Sequence, residues 1–179
     1  MNHPNETTFG RAMLLAGVTG LRSALGPALV SASRRGPGRE ALALAAMAEL
    51  VVDKLPFAPS RSSLPGLLPR VLAGYWVAQQ VARDDHSRDP SIPLAGAAAA
   101  ALTALIAPQL RWAIGRSFRV PDPVIGALED ALALYLGSLA AGLTEGDLRD
   151  LASDALGELR QGRVTPAFRQ FGGRLLPSR

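Results

Sequence analysis

Apolar residues along this chain run in long blocks broken by very few charges, not in the narrow stripes of a soluble surface helix. Residues 12–33 contain one charge, Arg22, and residues 94–115 contain only Arg111. Between them lie 41–57, interrupted by Glu49, Asp53 and Lys54, and 64–82, interrupted by Arg70. A fifth block, 123–143, carries Glu129 and Asp130 alone. The separators SRRGPGRE, APSRSS, RDDHSRDPS and RSFRVPD are short, polar and turn-forming. At about 1.5 Å of rise per residue, a block of 22 residues makes roughly 33 Å of helix, enough to cross a hydrocarbon core.

Strands fit poorly, because Ala, Leu and Gly dominate and alternation of period two never persists. The pattern predicts an all-α, multi-pass transmembrane helical bundle of about five hydrophobic helices over 1–143. Residues 144–179 would follow as an amphipathic helix and a basic tail. In that last part TEGDLRDLASDALGELRQG opens with Thr144 and Asp147 at capping-box spacing, and Leu148, Leu151, Ala155 and Leu159 mark one apolar stripe. Arg163, Arg169, Arg174 and Arg179 then give the tail a cationic character suited to an anionic leaflet.

Small residues recur at every fourth position in three of the blocks. Ala12, Ala16, Gly20, Ala24, Ala28 and Ala32 form the first series, Gly96, Ala100 and Ala104 the second, and Ala133, Gly137 and Ala141 the third. Such faces let helix backbones approach closely in lipid, where burial of apolar surface gives no driving force. A soluble Ala-rich helical protein would pack the same way, and a mean hydropathy of only +0.17 keeps that alternative in view. A weak internal repeat also lays 12–26 over 101–115, aligning Arg22 with Arg111, and 44–50 over 124–130, aligning Glu49 with Glu129. With five spans this would make an inverted-topology repeat.

Composition narrows the chemistry. Hydrophobic residues make up 48% and glycine adds 18 more residues, above the roughly 45–50% of soluble chains counted with glycine. There is no cysteine, which excludes disulfides and thiolate sites. Eighteen Arg and one Lys outnumber 15 acids, and the sequence pI is near 10.6. The basic tail lacks interleaved aromatics and any nucleic-acid motif, so a lipid bilayer is the expected partner and nucleic acid is not. Counting loop cations puts SRRGPGRE, the DDHSRD loop and the tail on one side, the cytoplasmic one, with the N-terminus opposite. The expected location is thus the inner (plasma) membrane.

The charges inside the apolar blocks are the candidate site: Arg22, Glu49, Asp53, Lys54, Arg70, Arg111, Glu129 and Asp130, with Arg61 as a candidate loop contact. A charge at the centre of a spanning helix costs roughly 2.5–3.5 kcal/mol on insertion scales, so such residues pair, line water or serve a function. Glu49 or Glu129 pairing with Arg22 or Arg111 across the bundle would offset several of these costs together. Lys54, beside Pro56, sits where it can snorkel to headgroups. Two readings stay open: ion pairs that fix helix register, or a polar cavity that binds an ion or relays protons. Catalysis is not indicated. His3 and His86 lie in loops, and no nucleophile, phosphate loop or metal-ligand spacing accompanies the acids, so neither a metal nor a cofactor is expected.

The segments AELVVDKLPFAPSR, LPGLLPRVLAG and VPDPVIGALEDALAL, with GLRS at 20–23, resemble the bacterial integral-membrane family known as domain of unknown function 4126. The resemblance covers roughly residues 10–143 and includes Glu49, Asp53, Lys54, Arg61, Arg70, Glu129 and Asp130. APQLRWAIGRS departs from the more glycine-rich fourth helix of that pattern, and residues after Leu143 lie outside it. The resemblance implies a small multi-pass membrane protein and supplies no activity. The expected function is a small integral membrane protein of uncharacterised activity, transporter- or channel-like for a small ion or solute on the ground of its intramembrane carboxylate/arginine cluster. The alternative is a non-transporting scaffold or assembly protein whose charges are structural. A homo-oligomer is compatible with both.

Overall fold

The computed structural model describes residues 4–52 and 63–162, and all of its regular structure is helical. Seven helices follow in order: α1 (Pro4–Leu21), α2 (Leu25–Ser33), α3 (Arg39–Val52), α4 (Leu64–Asp84), α5 (Ser91–Phe118), α6 (Asp122–Ala141) and α7 (Glu145–Arg160). Asp53, Lys54, Arg61 and the basic tail lie outside the described residues.

The first apolar block does not form one spanning helix. It breaks at Arg22–Ala24, and α2 folds back along α1 as a helical hairpin. Three observations fix this geometry. Arg11 in α1 pairs with Asp85 at 2.8 Å, and Arg34, just past α2, bonds Asp84 through its Nε at 2.9 Å, so both legs end at the C-terminal end of α4. Gly26 in α2 lies directly on Thr19 of α1, where a side chain would have no room. Leu25 N–H bonds the Arg22 carbonyl at 3.1 Å across the turn.

Pro27 explains part of the break. Inside a continuous helix its ring would meet the carbonyl of residue 23 and leave that carbonyl without its donor, whereas in the first turn of α2 no donor is required. The N-terminal end of α1 therefore shares one end of the bundle with the Arg34–Arg39 turn, and does not lie opposite to it as a five-span count expects. Among the described residues, only α5 and α6 combine the length and hydropathy of a membrane span.

Close packing of α1, α4 and α5 forms the centre. A Cβ on Gly74 would lie 2.5 Å from the Cβ of Ala100 and 2.9 Å from the Gly96 carbonyl oxygen. One on Gly96 would lie 2.9 Å from the Gly74 oxygen. Gly20 sits equally tightly on the Ala100 carbonyl. The small-residue series in α1, α5 and α6 are thus contact faces, with Ala12, Ala16, Ala100, Ala104 and Ala133 all buried. The series does not continue straight through Ala24, Ala28 and Ala32, because the hairpin moves those residues onto a second helix.

The two aligned pieces of the weak repeat also differ locally. Residues 12–26 contain the hairpin turn, while 101–115 lie inside one continuous helix.

Helix α6 stops at Gly142, whose φ of 70° is the left-handed value that favours glycine, and the Leu143 N–H returns to the Ser138 carbonyl. Helix α7 then starts with the capping box expected from the sequence. The Thr144 hydroxyl accepts from the Asp147 N–H, and the Asp147 carboxylate accepts from the Thr144 N–H at 2.8 Å. Its apolar stripe is divided: Ala155 is fully buried and α7 packs on α3, while Leu159 is exposed. The DDHSRD segment ends α4 in a turn with His86 at φ 56°.

Candidate functional site

The hairpin tip places unwound backbone inside the bundle, and the surrounding charges answer its needs. About 16 Å of helix separates Arg11 from Arg22, and α5 continues roughly 22 Å past Thr103, which lies beside Gly20. The tip is thus near half depth. Ser23 and Ala24 would there expose N–H groups at the start of α2, the donors that every helix leaves unpaired.

Glu49 of α3 takes them. Its Oε1 accepts from the Ser23 N–H at 2.8 Å and the Ser23 hydroxyl at 2.9 Å, and its Oε2 accepts from the Ala24 N–H at 2.8 Å. Arg70 of α4 adds a donor to Oε1 at 3.1 Å and donates from Nη1 to the Gly66 carbonyl at 2.7 Å. Four donors thus converge on one carboxylate beside the positive end of the α2 helix dipole.

Arg22, almost fully buried, reaches the other way. Its Nε and Nη2 donate to Oδ1 of Asp130 on α6 at 2.8 and 2.5 Å. One turn of backbone is thereby tied to three helices: α3 through Glu49, α4 through Arg70 by way of Glu49, and α6 through Asp130. Leaving one partner of such a buried pair alone costs roughly 3–5 kcal/mol.

Arg111 makes a third centre, between α5 and α6. Its guanidinium lies in the space that Gly126 leaves on α6, where a Cβ would fall 2.9 Å from Cζ. Its Nε is 2.7 Å from Oδ1 of Asp122, an ion pair by distance but off the direction of a hydrogen bond. Nη2 donates to the Asp122 carbonyl at 3.4 Å, and Nη1 stands 3.7 Å from Oε2 of Glu129.

The expected pairing of Glu129 with Arg111 is present, although loose. Glu49 does not pair with Arg22 or Arg111; Arg70 and the hairpin tip replace them, because Glu49 faces the start of α2 and Arg22 turns to α6. Adjacent α6 residues, Glu129 and Asp130, thus serve different arginines. Asp53 and Lys54 lie outside the described residues, as does Arg61. Sequence reasoning missed Ser23, Asp122 and Gly126. The serine after Arg22 and the GP pair at 26–27 were the available signals for a capped break.

Because the hairpin reaches only half depth, the far half of α5 and α6 lacks a neighbour on one side among the described residues. A cavity of about 540 Å³ opens there, walled by Leu102, Ile106, Leu110, Ile114, Leu128 and Leu132, with Leu21 at the hairpin tip. Among the described residues, Arg111 and Glu129 are its charged lining. A second, polar cavity of about 610 Å³ lies at the other end, where Arg35 and Arg39 face Asp147, Asp150 and Asp154. Among the described residues no group of acids and histidines has the geometry of a metal site.

The arrangement defines a class: an all-α bundle with a polar, charge-paired interior and two helices of membrane-spanning length and composition. Comparison with protein-family models, curated proteins and solved structures gives no match to this chain.

Proposed function

We propose that the protein is an integral membrane helical bundle of transporter- or channel-like type, in which the Arg111–Glu129 groove engages a small solute. The observation that carries the membrane reading is the inverted distribution of side chains. Arg22, Arg70, Gln80, Thr19 and Ser138 are buried, while Leu64, Leu68 and Leu72 on α4, Leu94, Trp112 and Phe118 on α5, and Leu128, Leu132 and Leu139 on α6 are exposed. Exposed apolar surface on three helices far exceeds the isolated residues usual on a soluble monomer. Only about a third of the apolar windows of α5 and α6 is buried, which supports lipid-facing helices over the buried core helices of a soluble fold. The resemblance to domain of unknown function 4126 points the same way.

The arginine-rich end, with Arg34, Arg35, Arg39, Arg83 and Arg88, is the cytoplasmic one under the positive-inside tendency. Helix α7 lies at that end, paired to it through Arg39 and Asp154. The protein therefore stays in the membrane fraction through high-salt and carbonate washes. Release into the soluble fraction overturns the reading.

A second reading, a scaffold whose charges are only structural, is favoured for one part of the site. Glu49 already has four donors and no remaining task. The two readings separate in liposomes. Glu129→Gln lowers solute or ion flux at normal folded yield if the groove is functional, and Glu49→Gln lowers folded yield itself. Unchanged flux in well-folded Glu129→Gln protein leaves the scaffold reading.

A further inference from the structure

We propose that the polar cavity between the end of α2 and α7 binds a small zwitterion, with a primary ammonium and an oxyanion a short chain apart. The cavity lies at the other end of the bundle from the Arg111–Glu129 groove, and the inference goes beyond the function proposed above without resting on it.

Two walls of opposite charge face each other here. Asp147, Asp150 and Asp154 follow at spacings of three and four residues, so they share one face of α7. Arg35 and Arg39 stand opposite, in the turn after α2 and at the start of α3. Most of these charges are already engaged. Asp147 closes the capping box with Thr144, and Arg39 holds Glu40 at 2.7 Å and Asp154 at 3.4 Å. Arg35 and Asp150 are left: among the described residues, neither side chain has an ion-pair or hydrogen-bond partner.

Both walls are held in place by their own helix ends. The Arg35 N–H bonds the Ala32 carbonyl and the Gly36 N–H bonds the Ser31 carbonyl, each at 2.9 Å, which closes α2. The capping box fixes the first turn of α7, and the fully buried Ala155 seats that helix on the bundle. A cavity of about 610 Å³ therefore persists between an arginine and an aspartate that do not close on each other, and its volume is ordinary for a small-molecule site.

The lining then selects the ligand. An anion alone would meet Arg35 but also the acidic face of α7, and a cation alone would meet the reverse. A molecule carrying both charges presents each to its opposite. The planar guanidinium of Arg35 suits an oxyanion, to which it can donate two parallel N–H bonds. Asp150, an acceptor only when ionised, suits an ammonium.

The test uses the full chain in a phosphorus-free detergent, with glycerophosphoethanolamine as probe and its phosphorus NMR line width as the readout. Expected is saturable broadening. Glycerophosphoglycerol, which keeps the phosphodiester and lacks the ammonium, binds at least fivefold more weakly, and ethanolamine at equal concentration does not displace the probe. Arg35→Gln and Asp150→Asn each weaken binding about fivefold, the upper end for an ion pair at an exposed site. Neither residue has a partner to lose among the described residues, so both variants keep the folded yield. Arg149→Gln, on another face of α7, leaves binding unchanged.

Equal binding of glycerophosphoglycerol overturns the proposal, because the arginines would then be taking any phosphate. Broadening that does not saturate, or that is the same in Arg35→Gln and Asp150→Asn, overturns it as well. Displacement of the probe by phosphatidylethanolamine in mixed micelles supports the site and assigns it a lipid headgroup. Probe binding that resists that lipid supports it and assigns a soluble zwitterion.

Discussion

The carboxylate of Glu49 bonds the backbone N–H groups of both Ser23 and Ala24, so an acid from α3 serves as the N-terminal cap of α2. Ordinary capping residues sit beside the helix they cap. Here the cap is supplied 25 residues later, so the helix break and the packing of α3 depend on each other. Glu49→Ala therefore removes the acceptor of two part-buried backbone donors and of Arg70 Nη2. The expected loss is roughly 3–5 kcal/mol of stability, seen as a lower unfolding midpoint in detergent. The loss in Glu49→Gln/Arg70→Gln is smaller than the sum of the two single losses, because both single changes remove the same ion pair.

The hairpin itself is open to chemical labelling, since the chain has no cysteine and each introduced one is unique. Gly10→Cys and Pro37→Cys flank the two legs at exposed or loop positions. A membrane-impermeant thiol reagent should reach both from the same side. Labelling from opposite sides would mean that 12–33 crosses as a single helix.

Helix contact at the centre leaves no space for one carbon atom. Gly74→Ala and Gly96→Ala each place a Cβ against backbone, so overpacking of about 1–3 kcal/mol is expected in thermal unfolding. Gly10, also in α1, has nothing within 4 Å of a new Cβ, and Gly10→Ala should leave stability unchanged or raise it slightly through helix propensity.

The α7 cap carries a pH dependence. The Thr144 hydroxyl, and after it the Thr144 backbone N–H, hold the Asp147 carboxyl below the usual carboxylate range. A depressed value means that the cap contributes above the unfolded pKa of about 3.9 and is lost as pH falls through the lower folded one. Amide exchange in the first turn of α7 should therefore be flat from pH 7 down to about 4, after correction for intrinsic rates, and rise below that. Asp147→Asn removes the step.

Much of this architecture can be read in the sequence where apolar length and local signals agree. The apolar lengths of α5 and α6, the capping box at Thr144 and Asp147, and the buried small-residue faces all follow from residues near one another in the chain. The hairpin does not, because its cause is divided: Pro27 disfavours continuation locally, but the donors it frees are satisfied by Glu49 from another helix. Hydropathy counts cannot register such a bond. The same holds for partner choice among the charges. Arg22, Arg70 and Arg111 were identifiable as residues in need of acids, yet which acid each meets depends on how α3 and α6 are rotated. Asp122 looked like part of a turn and serves as an ion-pair partner because Arg111 reaches down over Gly126.

The depth of the hairpin tip bears on how the chain reaches its native state in a membrane. A leg that stops midway has no far side to anchor in, and its unwound turn has no partners until later segments arrive: Glu49 and Arg70 first, Asp130 about a hundred residues after Arg22. Under the membrane reading proposed above, the first 33 residues wait during synthesis, held at the bilayer surface or shielded by the insertion machinery, while α5 and α6 enter lipid on their own hydropathy. The earliest part of the chain to be made is among the last to settle, and truncation before Asp130 would remove an acid that pairs with Arg22.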